Sequence, residues 1–369
     1  MFELTISKQQ LLTPLLTVAG AVDKKQSLTI LSNILLKLMD NQLILTATDL
    51  EIEITCRVPC ITQNEAGLIT IPVKKMIDIV RSLEEDANPT IAFKSGVVSI
   101  KEGRSQFKLA TLPADDYPNS EDEVNEVEFS LKRDEFIHLL QSTQFAMSTQ
   151  DVRAFLNGLL LEIDAQSIVA VATDGHRMAI CRLPAQLAEQ QHHRLLLPKK
   201  AVHEIIRLLN NINDEAILVS AGKNHFKLVT EQYTFSSKLI EARFPPYARA
   251  IPKEQDKIVV IDRDLLKRAL SRIIILANEK LRAVLLQIQA DQLTLIANNQ
   301  EQEEAIESVP AQVQGECLTI GINASYLLDV LAHVAEGPVR LSFSTTDSSI
   351  LVESVNDENY QYIIMPMKI

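Results

Sequence analysis

One short motif returns twice along this chain at a constant interval. Ala47-Thr48-Asp49 is followed 125 residues later by Ala172-Thr173-Asp174, and 125 residues after that by Ala297-Asn298-Asn299. Each motif closes an alternating apolar segment that is typical of a β-strand. An interval of this length corresponds to a whole domain, since solenoid repeats recur every 20–50 residues. The sequence therefore predicts three tandem copies of one domain.

Each copy is predicted to begin with a strand that leads into an amphipathic helix. The helices have apolar residues at spacings of three and four. These first strands start at Phe2, Val127 and Ile258. A second strand–helix pair recurs in the middle of each copy, starting at Leu68, Leu195 and Leu318. With about eight strands per copy, the predicted fold class is α+β: three tandem similar domains, each with two helices packed on antiparallel sheet.

Changes in composition place the domain boundaries. An acidic, proline-containing segment at 115–128 separates the first two copies, and the polar segment 252–257 separates the second from the third. We expect domains at 1–124, 125–253 and 254–369. Because both connecting segments are short, the domains are expected to hold a fixed relation to one another.

Composition excludes several classes of protein. The chain has no Trp and 10 Gly among 369 residues, which disfavours a glycine-rich phosphate loop or a propeller. The first residues lack a signal-peptide pattern, and no apolar run reaches the length of a membrane span. The four cysteines form no paired metal-binding motif. We therefore expect a cytoplasmic protein without a metal or cofactor.

Charge is unevenly distributed along the chain, whose net charge is −12. The predicted helices and the loop 21–27 together carry eight net positive charges, which leaves −20 for the remainder. If all the helices lie on one face of the protein, that face would contact the phosphates of a nucleic acid without recognising its bases. Solvated helix surfaces are the alternative interpretation, because Lys and Arg are common on exposed helices.

The most plausible catalytic pattern lies in the second motif. Asp174 precedes His176 by two residues, so the carboxylate could orient an imidazole for general-base chemistry. The first copy has Glu51 where the second has His176, and Asp or Asn at the motif is equally explained by a turn that closes a strand. The turn is the preferred interpretation, and the chain is expected not to be an enzyme.

Several longer strings carry a specific resemblance to a known family. They are DVRAFLNG (151–158), ATDGHRMA (172–179), FPPY (244–247), ILANEKLR (275–282), ANNQEQEEA (297–305) and YIIMPMKI (362–369). Together with the three repeats, these strings closely resemble the bacterial DNA polymerase III β subunits, the sliding clamps. The resemblance extends from the first strand to the last residue.

The resemblance implies a head-to-tail homodimeric ring whose helices surround duplex DNA. It implies a non-enzymatic processivity factor with the DNA polymerase III catalytic subunit, the clamp loader and other proteins with clamp-binding motifs as partners. Phe107 and Leu109 on one side, and Ile275 and Leu276 on the other, match the dimer interface. A repeat scaffold unrelated to DNA remains the alternative.

The resemblance also implies a peptide-binding pocket between the second and third domains. The matching positions are Leu156, Thr173, Gly175, His176, Arg177, Met178, Pro245, Arg249, Asn323, Tyr326, Ile363, Met365, Pro366 and Met367. Some positions depart from the commonest family pattern, so the preference of the pocket for particular peptides is open. These positions are Pro246, Ala248, Ala250, Leu281 and Ile369.

A third set of residues is expected to contact DNA loosely, as a ring that slides requires. Lys25 and Gln150 lie in loops that match DNA-contacting loops of the family. The further candidates are cations of the predicted helices: Lys75, Lys199, Lys200, Arg207, Lys267 and Arg272.

Overall fold

A computed structural model describes residues 2–22, 28–62, 66–94, 96–118, 124–187, 192–252 and 255–368. The chain packs as two compact units, each built from two stretches of sequence. Unit 1 comprises residues 1–133 and 203–239, and unit 2 comprises residues 134–202 and 240–369. The predicted domain boundaries do not coincide with this division and stay predictions.

The described residues form six α-helices, two for each predicted copy. They are α1 (Lys8–Val18), α2 (Val73–Ser82), α3 (Arg133–Gln144), α4 (Lys199–Leu209), α5 (Arg263–Ile273) and α6 (Ala324–His333). Each follows directly on a strand or within two residues of one, so the predicted strand–helix pairs are confirmed. Asp262 begins α5 by accepting a hydrogen bond from Leu265 N–H, and Asn323 begins α6 in the same way with Ser325 N–H.

The first copy contributes nine strands and the second contributes eight, counted over the described ranges. Those of the first are β1 (Phe2–Thr5), β2 (Asn33–Met39), β3 (Gln42–Thr48), β4 (Ile52–Pro59), β5 (Ile61–Thr62), β6 (Gly67–Pro72), β7 (Thr90–Lys94), β8 (Val97–Glu102) and β9 (Ser105–Ala110). Those of the second are β10 (Val127–Lys132), β11 (Gly158–Ile163), β12 (Ser167–Thr173), β13 (Arg177–Pro184), β14 (His193–Pro198), β15 (Ala216–Ala221), β16 (His225–Val229) and β17 (Tyr233–Lys238).

The third copy contributes nine more described strands. They are β18 (Lys257–Asp262), β19 (Ala283–Ile288), β20 (Gln292–Asn298), β21 (Glu304–Pro310), β22 (Gln312–Gln314), β23 (Leu318–Asn323), β24 (Pro338–Phe343), β25 (Ile350–Ser354) and β26 (Tyr360–Ile364). The ladders that join the strands are antiparallel, as predicted.

Unit 1 contains a five-stranded sheet, in the order β5-β1-β7-β8-β9, and an eight-stranded sheet, in the order β10-β15-β16-β17-β4-β3-β2-β6. The eight-stranded sheet joins two copies, because β17 of the second pairs with β4 of the first. Tyr233 lies opposite Cys56 in this ladder. Helix α1 packs on α2 and on β3 and β4, which buries Leu11 and Leu15 completely.

Unit 2 contains a nine-stranded sheet, in the order β14-β11-β12-β13-β26-β25-β24-β18-β22, and a four-stranded sheet, in the order β21-β20-β19-β23. Here β26 of the third copy pairs with β13 of the second, and Tyr360 lies opposite Cys181. This pair is equivalent to the Tyr233–Cys56 pair of unit 1, because Cys56 and Cys181 are separated by the repeat interval of 125 residues. The two junctions between copies therefore use equivalent strands in the same register.

The repeated motif forms the same turn in the first two copies. Asp49 Oδ1 accepts from the backbone N–H groups of Glu51 and Ile52, at 3.0 and 2.8 Å. The hydroxyl of Thr48 donates to the carbonyl of Ile52 at 2.8 Å. Asp174 and Thr173 make the equivalent bonds in the second copy. The prediction that the motif closes a strand with a turn is confirmed.

This turn places one residue in the left-handed backbone region. That residue is Gly175 in the second copy, at φ 90°, and Leu50 in the first, at φ 76°. A left-handed conformation costs a residue with a Cβ roughly 1–2 kcal/mol. The hydrogen bonds of the turn are therefore sufficient to hold Leu50 in a conformation that glycine adopts without strain.

No helix in the described ranges has the length and apolar character that crossing a membrane requires.

The first prediction concerns the turn that the repeated motif forms. We expect Asp49→Ala to lower the free energy of unfolding by about 1–2 kcal/mol, because two backbone N–H groups lose their acceptor. Asp49→Asn is the matched control, since Asn occupies the third motif as Asn299 and retains an acceptor oxygen. Urea denaturation followed by circular dichroism measures both variants. Equal losses for Ala and Asn would contradict the role of the side-chain oxygen.

Candidate functional site

One face of the nine-stranded sheet in unit 2 carries a continuous apolar cluster. It consists of Leu160, Val169, Val171, Met178, Ile180, Leu196, Phe244, Leu351 and Ile363, each less than one tenth exposed. The cross-strand pairs Leu160–Val171 and Met178–Ile363 show that the cluster crosses from the second copy to the third. Residues on the opposite face, such as Tyr362, instead contact Phe145, which lies just after α3.

The segment 240–251 lies over this cluster. Its partly buried side chains Ile240, Ala242, Tyr247 and Ile251 pack on the cluster, and Phe244 belongs to it. Phe155, from the loop before β11, packs beside them with its ring edge-on to Phe244 at 5.9 Å. The segment covers the sheet face that carries the cluster, so β12 is buried along six successive residues. The equivalent strand of the first copy, β3, instead alternates between buried and partly exposed residues over most of its length.

Arg177 contacts four residues of unit 2 through its guanidinium group. Nε contacts Asp174 at 3.1 Å, Nη1 donates to Asp329 of α6, and Nη2 donates to the carbonyl oxygen of Phe145 at 2.8 Å. Its Cζ lies 4.7 Å from the ring centre of Tyr326 and 5.4 Å from that of Phe145. Arg177 therefore fixes the start of β13 against α6 by both charge and stacking.

Tyr326 forms a wall beside the motif turn. The ring of His176 stacks on the ring of Tyr326, with centroids 6.4 Å apart and 19° between the planes. His176 is exposed, while Tyr326 is half-buried. Next to this wall, the N–H of Met365 donates to the carbonyl of His176 at 2.9 Å. The chain after β26 is thus bonded to the backbone of the residue whose ring stacks on Tyr326.

The residues after β26 are bonded to strand β23, just before α6. Met367 N–H donates to the carbonyl of Gly321 of β23 at 2.8 Å, which forms an isolated bridge. Met365 remains 45% exposed. Flexible thioether side chains on an open surface suit ligands of varied shape. The chain from Met365 to Met367 is thus fixed at two points, to the motif turn and to β23.

The structure brings together most of the predicted pocket residues. Direct contacts or strand pairs link Thr173, His176, Arg177, Met178, Tyr326, Ile363 and Met365, and Met367 is bonded to Gly321, two residues before Asn323. Gly175 and Pro366 lie between members of this group, and Asn323 begins α6. Leu156, Pro245 and Arg249 belong to the neighbouring segments that cover the cluster. Binding by these residues stays a prediction.

Sequence reasoning missed three residues that shape this face. Phe155 and Tyr247 pack on the cluster, and Glu162 accepts a hydrogen bond from Tyr247. One sequence signal was available for the covered face. Residues 168–172 of β12 are all apolar, a pattern that indicates a strand buried on both faces.

The alternative catalytic interpretation of Asp174 and His176 finds no support in the geometry. Asp174 accepts from the backbone N–H groups of His176 and Arg177, and its second oxygen contacts the Arg177 guanidinium. The imidazole of His176 stacks on Tyr326 instead. The carboxylate therefore orients the turn, and an Asp–His pair for general-base chemistry is not formed.

The predicted DNA-contacting residues occupy varied environments. Lys75, Gln150 and Lys200 are exposed, Lys267 is partly buried on α5, and Lys25 lies outside the described residues. Arg272 is exposed but contacts Glu307 of β21. In unit 1, Arg207 donates to the carbonyls of Leu16 and Thr17 at 3.2 and 2.5 Å, so its guanidinium holds the end of α1.

Lys199 is the first residue of α4 and is partly enclosed in unit 2. Its Nζ donates to Met147 O at 3.2 Å and to Thr149 Oγ1 at 3.0 Å. Burial lowers the pKa of Lys199, and the nearby Arg177 charge lowers it further. These contacts hold the loop that precedes Gln150.

Two of the four predicted interface residues lie on an edge strand, and the other two follow helix α5. Phe107 and Leu109 are on β9, the edge strand of the five-stranded sheet in unit 1; Phe107 is partly exposed and Leu109 is buried. In unit 2, Ile275 is 74% exposed and Leu276 is partly exposed, just after α5. The neighbouring edge strand β21 presents Ile306, 59% exposed, which the sequence reasoning did not select.

The second prediction concerns the contacts of Arg177. We expect Arg177→Gln to lower the free energy of unfolding by about 2–3 kcal/mol, because the mostly buried Asp174 loses its charged partner. Arg153→Gln is the matched control: its side chain is 53% exposed and pairs with Asp151, so its loss should cost less than about 1 kcal/mol. Urea denaturation of both variants checks the difference. Equal effects would show that Arg177 adds no more than a surface ion pair.

Comparison with known proteins covers the whole chain. Family models match three consecutive segments: the DNA polymerase III beta subunit N-terminal domain at residues 2–121, the central domain at 130–246 and the C-terminal domain at 248–368. The three tandem domains inferred from the repeated motif are therefore confirmed.

Individual relatives agree with the family models. The beta sliding clamp of Pseudomonas aeruginosa is 43% identical over 365 residues, and that of Pseudomonas putida is 42% identical over 365 residues, with 99% of each chain covered in both comparisons. A crystal structure of the P. aeruginosa sliding clamp bound to griselimycin superposes with a TM-score of 0.96 at 42% identity, covering 100% of both chains. The chain belongs to the DNA polymerase III beta subunit family and is a DNA sliding clamp.

Proposed function

We propose that two copies of this chain close head to tail into a ring around duplex DNA. The ring would act as a processivity factor that holds the replicative polymerase near its template. Tethering raises the local concentration of the polymerase at the primer end and replaces tight binding between polymerase and DNA. The role assigned to the chain is binding, and it needs no catalytic step.

The main support for a ring is that the junction between neighbouring copies is repeated. Within the chain, β17 pairs with β4 and β26 pairs with β13, in equivalent registers. A third junction, between the third copy of one chain and the first copy of another, would use the corresponding strands. These are β9, which corresponds to β17 and β26, and β21, which corresponds to β4 and β13. Both β9 and β21 are sheet edges. A second copy supplies each edge with the missing strand, and a twofold operation closes the assembly.

The known junctions also give the register of the third one. Cys56 and Cys181 are 125 residues apart, and the same step leads from Cys181 to Ile306 of β21. Their partners Tyr233 and Tyr360 each follow an Asn or Gln residue in the sequence. On β9 the same pattern, Gln106 followed by Phe107, identifies Phe107 as the equivalent residue. We therefore place Phe107 of one copy opposite Ile306 of the other, which would cover the partly exposed Phe107 and the exposed Ile306.

The ends of the first helices support the same closure. We compare the residue that stands two positions after the last buried residue of each first helix. In the first copy it is Gly20, which lies close to Arg207. In the second copy it is Phe145, whose ring stacks on that of His333 with centroids 4.4 Å apart. The equivalent residue of the third copy is Ile275, and it is exposed. A second copy would give Ile275 the helix contact that its counterparts have within the chain.

Contact with DNA is proposed for the cationic residues of the helices and the loops beside them. Lys75, Gln150, Lys200 and Lys267 have side chains that solvent reaches, while Arg272 would exchange its contact with Glu307 for phosphates. Arg207 contributes least, because its donors already hold helix α1. Such contacts are independent of sequence and weaken as salt concentration rises.

Partner binding is proposed for the apolar cluster and the wall formed by His176 and Tyr326. This combination offers a buried apolar floor, adaptable methionines and a few polar groups, as peptide sites in proteins commonly do. Polymerase, clamp loader and other proteins with clamp-binding motifs are the proposed occupants. The griselimycin complex of the P. aeruginosa relative supports the inference that clamps of this type accept ligands.

The third prediction tests the register of the proposed interface. In a chain carrying Cys317→Ser, we expect the pair Phe107→Cys and Ile306→Cys to form a covalent dimer under mild oxidation, since facing strand residues lie within disulfide reach. The pair Ser105→Cys and Ile306→Cys is the control, displaced by two residues. Non-reducing electrophoresis gives the yields. Equal yields from both pairs would contradict the register, and a monomer by light scattering would contradict the ring.

The fourth prediction tests the topological link to DNA. After loading by a clamp loader, the protein should stay on nicked circular DNA in high salt and leave it once the circle is cut. Binding of the unloaded protein to short linear DNA should be weak and should fall steeply with salt. Gel filtration separates DNA-bound from free protein. Retention that does not depend on DNA ends would contradict the tether and favour a scaffold or a site-specific binder.

A further inference from the structure

We propose that Tyr247 and Glu162 are positioning residues of the binding pocket: their hydrogen bond fixes the segment 240–251 on the sheet and so sets the shape of the apolar floor. This inference rests on the proposed partner-binding function. Neither residue belongs to the set that the family resemblance assigned to the pocket, and neither needs to touch the bound partner.

Glu162 is fixed on the same sheet face as the cluster. It lies two residues after Leu160 on β11, so both side chains point to one side of the sheet. Arg194 is directly opposite on β14, and its Nε contacts Glu162 Oε1 at 3.0 Å. The Glu162 side chain is only 16% exposed. The carboxylate is therefore held in place by a cross-strand partner before any ligand arrives.

Tyr247 connects the covering segment to this carboxylate. Its hydroxyl donates to Glu162 Oε2 at 2.6 Å. Its ring packs on the cluster and meets the ring of Phe244 edge-on, with centroids 6.4 Å apart. Burial raises the pKa of Tyr247, and the neighbouring Glu162 raises it further, so the phenol keeps the proton that it donates.

The covering segment depends on such side-chain contacts because of its backbone. Pro245 and Pro246 have no N–H groups, so they cannot donate hydrogen bonds to a ladder. At the ends of the segment, Ile240 N–H donates to Leu196 O at 2.9 Å and the Ser349 hydroxyl approaches Ala250 O at 3.4 Å. Apolar packing of Phe244 in the middle has no directional preference. The Tyr247 hydroxyl adds a contact with a defined direction.

The position of Tyr247 explains how this hydrogen bond acts on the pocket. Tyr247 stands two residues after Pro245 and two before Arg249, and both of these are proposed to contact the partner. A shift of the tyrosine would move both residues and change the width of the floor. The hydrogen bond therefore pre-organises the site, which improves affinity without adding a contact to the ligand.

The experiment measures binding of griselimycin by calorimetry to the full-length chain. We expect Tyr247→Phe and Glu162→Ala each to weaken binding about fivefold, the effect of one lost hydrogen bond. The double variant should be no weaker than either single variant, because both remove the same interaction. Glu162→Gln should bind within about twofold of the unmodified chain, since the amide oxygen still accepts from the tyrosine.

Two control variants separate positioning from a general loss of structure. Tyr117→Phe removes a buried hydroxyl from unit 1, where it donates to the carbonyls of Asn33 and Thr46, and it should leave griselimycin affinity unchanged while lowering stability. Met365→Asp alters an exposed pocket residue and should abolish binding. Additive effects in the double variant, or a loss with Tyr117→Phe equal to that with Tyr247→Phe, would overturn the proposal.

Failure of this proposal can be told apart from failure of the proposed function. Unchanged affinity of Tyr247→Phe, with binding lost in Met365→Asp, overturns the positioning role alone. Absence of binding to the unmodified chain, or binding unaffected by Met365→Asp, overturns the pocket assignment and the positioning role together.

Discussion

The architecture of this protein depends on the hydrogen bonds that edge strands form with strands of a neighbouring copy. An unpaired edge exposes a row of backbone N–H and C=O groups, which favours pairing with another strand. In unit 1 the edge of the first copy is completed by β17 of the second, and in unit 2 the edge of the second is completed by β26 of the third. Each copy thus relies on another for part of its sheet. The same requirement, applied to β9 and β21, is the physical basis for the proposed ring.

Much of this architecture could be predicted from the sequence, because it repeats. The interval of 125 residues, the strand–helix pairs and the motif turn each appear more than once, and agreement between copies compensates for ambiguity in any one of them. The division into two compact units was harder to predict. Strand pairing between distant segments, such as β4 with β17, leaves no local signal, so the division into two units could not be inferred.

The candidate site was only partly predictable for a related reason. The resemblance supplied exposed residues such as His176 and Met365 and the connecting residue Arg177, but not the hydrogen-bonded pair that we propose to position the covering segment. Tyr247 and Glu162 are 85 residues apart and meet only because a covering segment crosses the sheet. The motif turn makes the same point: Leu50 occupies in the first copy the left-handed position that Gly175 occupies in the second. The shared backbone turn belongs to the proposed partner-binding site in the second copy alone.

The pairing of β4 with β17 has a consequence for how the protein is made. Residue 56 pairs with residue 233, so the outer edge of β4 has no partner until the ribosome has added the intervening chain. At about 5–20 residues per second, that interval lasts on the order of ten to thirty seconds. Throughout it the nascent chain presents an incomplete sheet that can associate with a neighbouring chain. Completion of this sheet therefore waits for a strand that lies 177 residues further along the chain.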